Sequence, residues 1–285
     1  MLRFISIVTI IMTFCSGRVF SQIEQTVGAK TSAFSGFGSA GNGDPNLLLT
    51  NPAGICGITS FSASLSAGQP YFLDALNTAA LTAVLPIQNH YAGITAYSRG
   101  NNLFRQTQIS AAYAISLFDN KFRGGIKIGG YNTHIPEYGA QTSLIIDAGV
   151  QTSISKSIDI GARVTNLNQA RLKINREEPL PTVLSVGALW KVGKTFSVAA
   201  EAYQSSIWPL DMRVGLEYKP HPILAIRLGA HTEPFVYTAG IGLKWKSYQL
   251  DFSMERHLLL GFTPQFSFSY LVNRPSNEKQ QTTKP

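Results

Sequence analysis

The stretch from Gly36 to Gly41 reads Gly-Phe-Gly-Ser-Ala-Gly and matches the spacing of the dinucleotide-binding fingerprint. In that fingerprint the glycines follow an apolar strand and open an amphipathic helix, so that backbone amides face a pyrophosphate. Here the sequence indicates neither of these flanking elements. We therefore interpret the match as chance and expect no cofactor.

Other catalytic arrangements are also missing from the sequence pattern. No serine stands in a recognisable nucleophile setting, although serine is abundant. The histidines lie in or near expected connections, without the spacing or the Cys and carboxylate neighbours of a metal site; they are His90, His134, His221, His231 and His257. The sequence predicts that the chain is not an enzyme and holds no metal.

Charged residues that alternate with apolar ones are the better candidates for function. Residues 211–219 show the pattern, because Arg213 and Glu217 alternate with Val214, Leu216 and Tyr218. If the strands close into a membrane barrel, the polar faces point inward. The candidate lumen-facing charges are Lys127, Asp147, Asp159, Arg163, Glu201, Arg213, Glu217 and Asp251. Such charges can pair with opposite charges, bind a plug, or line a permeation path.

The elements that carry these residues are predicted to be short strands with one apolar face. Fourteen strands are expected, an even number, which suits an antiparallel outer-membrane barrel. They should begin near Ile58, Ala79, Tyr91, Gln106, Phe122, Ser143, Ile158, Thr182, Thr195, Asp211, Ile223, Phe235, Ser247 and Gln265. In the last strand, Phe266, Phe268 and Tyr270 should face the membrane.

The connections are expected to alternate in length, with short periplasmic turns and longer outer loops. The short class is Asp119–Lys121, Ser155–Ser157, Val192–Lys194 and Pro220–Pro222. The longer class is Ala67–Thr78, Thr133–Thr142, Asn166–Pro181 and Arg256–Thr263.

A soluble β-sandwich would also alternate, because one face packs on a core. Two observations favour the membrane barrel. Charged residues make up only 14% of the chain, against about 25% in ordinary soluble proteins. Aromatic residues expected near strand ends would form interfacial girdles; they are Tyr91, Tyr97, Trp190, Tyr218, Trp245, Tyr248 and Tyr270.

The N-terminal residues 1–21 resemble a cleaved signal peptide, with a basic start, an apolar run from Phe4 to Phe14, and small residues flanking Phe20. That run is too short for a permanent membrane helix, and no other segment is long and apolar enough. Export leaves Cys56 as the single thiol, expected to be a small buried hydrophobe.

The formal net charge of +8 could indicate nucleic acid. Export makes contact with anionic lipid headgroups or an acidic partner the simpler account. The polar residues 273–285 should form a disordered tail.

Residues 22–57 are rich in glycine and lack long alternation, so we expect a plug before a barrel spanning 58–272. Val27–Gly36 and Gly43–Ile55, which includes Asn51, Pro52, Ala53 and Gly54, resemble the opening of FadL-type transporters and the related PorV/PorQ proteins. Pro52 should make Asn51 extended, and Gly54 could adopt the positive φ of a tight turn. This turn either aims the plug into the lumen or gives a rigid start to the first strand.

The resemblance implies a non-enzymatic outer-membrane barrel plugged at its N-terminus. The PorV/PorQ branch implies an accessory or shuttle component of type IX secretion, with secretion-system proteins as partners; the expected compact outer loops favour this branch. The alternative is a FadL-like transporter for hydrophobic small molecules, and a structural envelope protein is a third possibility. Outer-membrane lipid is an expected partner in each case.

Overall fold

The computed structural model describes residues 27–173 and 177–272. The predicted signal peptide at 1–21 and the predicted polar tail at 273–285 lie outside the described residues.

Fourteen strands form one closed antiparallel barrel. They are β1 (Ser62–Gly68), β2 (Thr78–Ile87), β3 (His90–Gly100), β4 (Arg105–Leu117), β5 (Phe122–Ile135), β6 (Gly139–Ser153), β7 (Ile158–Thr165), β10 (Val183–Val192), β11 (Phe196–Ser205), β12 (Asp211–His221), β13 (Leu224–Thr232), β14 (Phe235–Trp245), β15 (Tyr248–His257) and β16 (Gly261–Leu271). The short strands β8 (Arg171–Lys173) and β9 (Glu177–Pro179) form a separate pair between β7 and β10.

Each barrel strand pairs with its neighbour in the chain, and β7 pairs with β10 across that small insertion. The first and last strands close the ring, with Ser62 opposite Leu271 and Gly68 opposite Gln265. The predicted fourteen-stranded antiparallel barrel is therefore confirmed.

The outer surface of the barrel is apolar along the middle of its strands. Ile94 in β3 is 61% exposed, and Leu65, Leu228 and Phe266 on other strands are also exposed. A soluble protein seldom leaves apolar patches larger than a few hundred Å² open to water. Because this surface runs round a closed barrel with a polar interior, it is the surface of a membrane-spanning barrel. Among the described residues, no helix is long and apolar enough to cross a bilayer.

Most strands begin within one residue of the predicted position, and three do not. The first strand begins at Ser62 where Ile58 was expected, β6 begins at Gly139 in place of Ser143, and β16 begins at Gly261 in place of Gln265. The outer loops predicted at 133–142 and 256–263 are therefore shorter than expected. Paired strands continue past the predicted ends, through residues such as Thr133 and His134 of β5.

The two ends of the barrel differ in their connections. One end carries the short turns 88–89, 118–121, 154–157, 193–195, 222–223 and 246–247; we call it the turn rim. The other end carries 69–77, 101–104, 136–138, 166–182, 206–210, 233–234 and 258–260; we call it the loop rim. In bacterial barrels short turns face the periplasm and longer loops face the outside.

Aromatic side chains line part of the turn rim on the membrane side. The exposed members of the predicted girdle all lie there, namely Trp190, Tyr218, Trp245, Tyr248 and Tyr270. The prediction was wrong for two others. Tyr91 is buried against Cys56, and Tyr97 lines an internal cavity. Both belong to the alternate positions of β3 whose side chains face the interior of the barrel.

Residues 27–57, which we call the N-terminal segment, contain a short helix α1 (Ala29–Ala33) and two 3-10 helices (Pro45–Leu49 and Pro52–Gly57). The sequence indicated no regular structure there. Helix α1 contacts β13–β16, while the 3-10 helices contact β1–β6. Because this largely buried segment touches strands on opposite sides of a closed barrel, it lies in the lumen.

Candidate functional site

The N-terminal segment is seated on a ring of glycines that face it from the barrel wall. At each of these positions a Cβ would fall within about 3 Å of the segment. The glycine ring consists of Gly93, Gly125, Gly149, Gly161, Gly187, Gly215, Gly229 and Gly240. At Gly161 the Cβ would lie 2.0 Å from the Ser39 carbonyl oxygen. Any larger residue there would force the backbone of the segment away from the wall.

The predicted plug turn at Asn51–Gly54 is the start of the second 3-10 helix. Asn51 is extended, as expected before Pro52, and its side chain accepts from the Ala53 amide at 3.0 Å and donates to the Ser39 carbonyl at 2.7 Å. The expected positive φ at Gly54 is absent. Gly54 is needed for its size instead, because a Cβ would lie 3.0 Å from the Gly41 carbonyl oxygen.

Glu201 in β11 binds the stretch that matched the dinucleotide fingerprint. Its carboxylate accepts hydrogen bonds from the backbone amides of Gly38 at 3.1 Å and Ser39 at 2.9 Å. Arg163 lies 3.6 Å from the other carboxylate oxygen. The amides are therefore satisfied by the barrel wall, and the Gly36–Gly41 stretch takes part in seating the N-terminal segment.

Two buried cations bind carbonyl groups of the same segment. The Lys127 ammonium donates to the Leu48 carbonyl at 3.1 Å and pairs with Asp147 at 3.0 Å. The Arg163 guanidinium donates to the Thr50 carbonyl at 3.5 Å. Four of the predicted lumen-facing charges thus form two ion pairs, Lys127–Asp147 and Arg163–Glu201, that bind the segment at Gly38 and Ser39 and at Leu48–Thr50.

The remaining four predicted charges belong to three other clusters. Asp159 pairs with Arg123 at 3.0 Å and Lys191 at 2.6 Å near the turn rim. Glu217 and Asp251 each lie 2.7 Å from the Arg227 guanidinium.

Arg213 lies nearer the loop rim, where it pairs with Asp211 at 2.7 Å and lies 3.7 Å from the Tyr203 ring centroid. The structure thus brings all eight residues into the barrel interior but does not gather them into one cluster.

Lys30 extends from the N-terminal segment toward the Arg227 cluster and lies 3.2 Å from Asp44. Burial lowers the pKa of Lys30, but the carboxylates of Asp44, Glu217 and Asp251 outweigh it and hold that pKa above its ordinary value. Lys30 is therefore charged at neutral pH.

A cavity of about 180 Å³ opens on the loop-rim side of the N-terminal segment. Its floor is formed by Val27, Leu49 and Thr50. Aromatic and aliphatic side chains form part of the wall, including Tyr97, Tyr131, Ile145, Leu180 and Val183. Charged side chains also line it, namely Arg99, Lys127, Arg163, Arg213 and Asp147, together with uncharged polar residues such as Thr95 and Gln106. The cavity wall is thus partly apolar and partly polar, with more cations than anions among its charged residues.

Two further cavities lie on the turn-rim side. One, of about 350 Å³, is lined by Asn42, Cys56, Tyr91 and other uncharged residues. The other, of about 230 Å³, is lined by Lys30, Lys191, Glu217 and neighbouring residues. Leu48 and Ile55 of the N-terminal segment line none of the three cavities and are fully buried.

Cys56 forms part of a buried apolar cluster with Leu48, Ile55, Val84 and Tyr91. Cys56 is only 3% exposed, and burial raises the pKa of its thiol to about 12. Cys56 therefore remains a protonated thiol at neutral pH and packs as an apolar group.

Within residues 27–173 and 177–272 no three His, Cys, Asp or Glu side chains come together in a way that could hold a metal ion. Neither the glycine ring nor the loop-rim cavity was predicted from the sequence. Glycines at inward-facing positions in the middle of strands could have predicted the ring. No sequence pattern could have predicted the cavity, because its residues come from β3–β7, β10–β12 and the loop before β10.

The closed barrel, its apolar outer belt and the segment buried in its lumen define an integral outer-membrane barrel of fourteen strands. No family model and no curated protein matches this chain.

Solved structures share its fold. The CymD monoaromatic hydrocarbon channel superposes with a TM-score of 0.66 at 11% identity, covering 87% of this chain and 98% of that one. The toluene transporter TbuX of Ralstonia pickettii gives 0.62 at 14% identity, covering 86% and 98%. A FadL homologue of Pseudomonas aeruginosa gives 0.63 at 12% identity, covering 88% and 99%.

The fold is therefore that of the FadL-type channels, and the predicted likeness to that group is confirmed at the level of fold. The likeness to PorV/PorQ proteins stays a prediction.

Proposed function

We propose that this chain is a non-enzymatic outer-membrane channel for hydrophobic small molecules, with the loop-rim cavity as its binding site and the N-terminal segment as its plug. The cavity floor carries the proposal, because Val27, Leu49 and Thr50 of the segment close the cavity from below. A ligand that enters from the loop rim would stop on the segment.

The volume of the cavity supports a small ligand. An apolar cavity of about 150 Å³ accommodates benzene in a protein interior, and the loop-rim cavity has about 180 Å³. A molecule of the size of one substituted aromatic ring would fit between Tyr97, Tyr131 and Ile145. Its polar end, if it has one, would face Arg163 and Arg213.

The names of the similar structures support the same class of ligand, since they are hydrocarbon and toluene channels. Passage would require the N-terminal segment to move. The ion pairs Lys127–Asp147 and Arg163–Glu201 hold it in the described position.

Uptake measurements test this function. In a strain that lacks the gene, wild-type protein should restore uptake of labelled toluene and benzoate, used as a neutral and an anionic probe. Thr95→Phe puts a ring into the cavity and should abolish that gain. Thr107→Phe adds the same ring at a position of outward parity in β4 and should restore uptake as well as wild type. Equal uptake with and without the gene would contradict the proposal.

A second candidate function is an accessory role in type IX protein secretion, for which the sequence resemblance to PorV/PorQ proteins is the argument. The compact loops 101–104, 136–138, 233–234 and 258–260 favour it, because they leave the loop rim open to a protein partner. Co-purification of the tagged barrel with secretion proteins, together with loss of secreted cargo in the deletion strain, would support this role. Normal secretion in that strain would count against it.

A further inference from the structure

Lysines are concentrated at the turn rim. Four of them lie in the turns, at Lys121, Lys156, Lys194 and Lys246, and all four are exposed. Two more exposed lysines lie at strand ends but have the inward parity of their strands, namely Lys244 and Lys219, which pairs with Glu217 at 2.8 Å. Within the six turns, all of which the structure describes, Asp119 is the single carboxylate. This end of the barrel is therefore strongly basic.

Among its described side chains the loop rim has no such excess. The exposed carboxylates described there are Asp74, Glu137, Glu178 and Glu233, and they stand beside the exposed cations Arg105, Arg171 and Arg256. The positive charge of the described surface is thus placed mainly at one end, and the two ends meet different surroundings in a membrane.

Aromatic residues fix the depth of these lysines in the membrane. Trp190, Tyr218, Trp245 and Tyr248 face outward at the same rim, and such rings sit at the level of the lipid headgroups. The Lys246 ammonium lies 5.1 Å from the centroid of the Trp245 ring. The lysines therefore start at the point where the apolar belt ends.

We propose that the four lysines in the turns of this rim bind anionic phospholipid headgroups in the leaflet that the rim faces. Charge complementarity supports this occupant, since each Lys near an anionic membrane surface contributes about 1 kcal/mol. The continuity of the lysines with the membrane-facing belt favours lipid over a soluble partner. The barrel would thereby be held at a fixed depth in the bilayer.

Quenching of tryptophan fluorescence by brominated lipids tests the proposal. In a Trp208→Phe background the remaining described tryptophans, Trp190 and Trp245, both lie at the turn rim. The barrel is reconstituted in mixtures of phosphatidylglycerol and phosphatidylcholine, with one lipid brominated at a time. At low salt we expect phosphatidylglycerol to bind about five-fold more strongly, which corresponds to about 1 kcal/mol. Salt near 0.5 M should remove the preference by screening.

Three triple variants provide the matched comparison. K156Q/K194Q/K246Q should bring the ratio of the two binding constants to about one, whereas K156R/K194R/K246R should retain the preference because it keeps the charge. R105Q/R171Q/R256Q removes the same charge at the loop rim and should leave the ratio unchanged. Heat-modifiable migration in gels confirms that each variant is folded.

Equal binding of the two lipids by the wild-type barrel at low salt would overturn the proposal, as would an equal loss in the loop-rim variant. Lysine-dependent binding of soluble poly-glutamate without any lipid preference would assign the rim to an acidic protein and overturn it as well.

Discussion

The carboxylate of Glu201 in the barrel wall lies 2.9 Å from the backbone amide of Ser39 in the N-terminal segment. The same carboxylate accepts from the Gly38 amide, and its other oxygen faces Arg163. One side chain thus satisfies two buried amides and balances one buried cation. Glu201 is therefore one of the side chains by which the wall holds the segment.

Glu201→Ala should therefore destabilise the protein, because it leaves Arg163 and both amides without this acceptor. The loss in free energy of unfolding should be about 3 kcal/mol, the usual cost of removing one partner of a buried pair. Glu201→Gln keeps an acceptor oxygen and should cost less. Urea titration of the barrel in lipid vesicles measures both variants. Equal midpoints for wild type and Glu201→Ala would show that Glu201 does not hold the segment.

Gly161→Leu should displace the N-terminal segment, because even a Cβ would lie 2.0 Å from the Ser39 carbonyl oxygen. Overpacking of this kind costs about 1–3 kcal/mol, and the segment should give way before the hydrogen-bonded wall does. Ion conductance across a planar bilayer should rise above the wild-type value. Gly124→Leu is the control, since its nearest neighbour outside the adjoining residues is a Phe122 ring carbon at 3.8 Å. A closed Gly161→Leu channel would refute the seating argument.

Leu228→Arg tests the membrane-facing belt. Leu228 lies in the middle of β13 and is exposed. Arg at mid-bilayer depth costs about 2–4 kcal/mol in such barrels, and close to nothing near the interface. Leu259→Arg, in the 258–260 loop where Leu259 is 90% exposed, should be tolerated. Refolding into vesicles at a series of urea concentrations gives both values. If Leu228→Arg refolds like wild type, water rather than lipid meets this face.

Cys56 should react slowly with iodoacetamide as long as the protein is folded. Its pKa of about 12, raised from 9.0 by burial, leaves about a thousand-fold less thiolate than in an ordinary cysteine at pH 8. The folded state thus disfavours the thiolate. The protonated thiol therefore makes its full contribution to the free energy of unfolding below pH 9, and that contribution is lost as the pH rises toward 12.

Alkylation followed by mass spectrometry at pH 8, with and without urea, measures this protection. Leu259→Cys supplies an exposed thiol on the same barrel and should label at once. Equal rates for Cys56 in the folded and unfolded protein would contradict its burial.

The wall of the barrel could be predicted closely from the sequence, since lipid on one face and a polar lumen on the other impose a period of two. The prediction failed where strands extend beyond the membrane, because there lipid no longer contacts one face. Thr133 and His134 were predicted to lie in a loop because both are polar, yet they continue β5 by pairing with residues of β6. Backbone pairing needs no apolar face once a strand extends beyond the membrane.

The interior could be predicted only in part. The inward parity of charges such as Lys127 and Glu201 followed from the alternation, but their partners did not. Lys127 meets the Leu48 carbonyl, 79 positions away in the chain, and no local pattern specifies such a contact. Tyr91 was misplaced for a related reason, because its ring packs against Cys56 of the N-terminal segment and so behaves as a core residue.

The pairing of Ser62 with Leu271 has a consequence for how copies of this chain coexist. An open sheet of the same strands would present a free row of amides and carbonyls at each edge, and a second copy could add to it. Because the first described barrel strand pairs with the last, the amides and carbonyls of both edges are hydrogen-bonded to each other. Neighbouring copies can therefore crowd together in the bilayer without polymerising through their backbones.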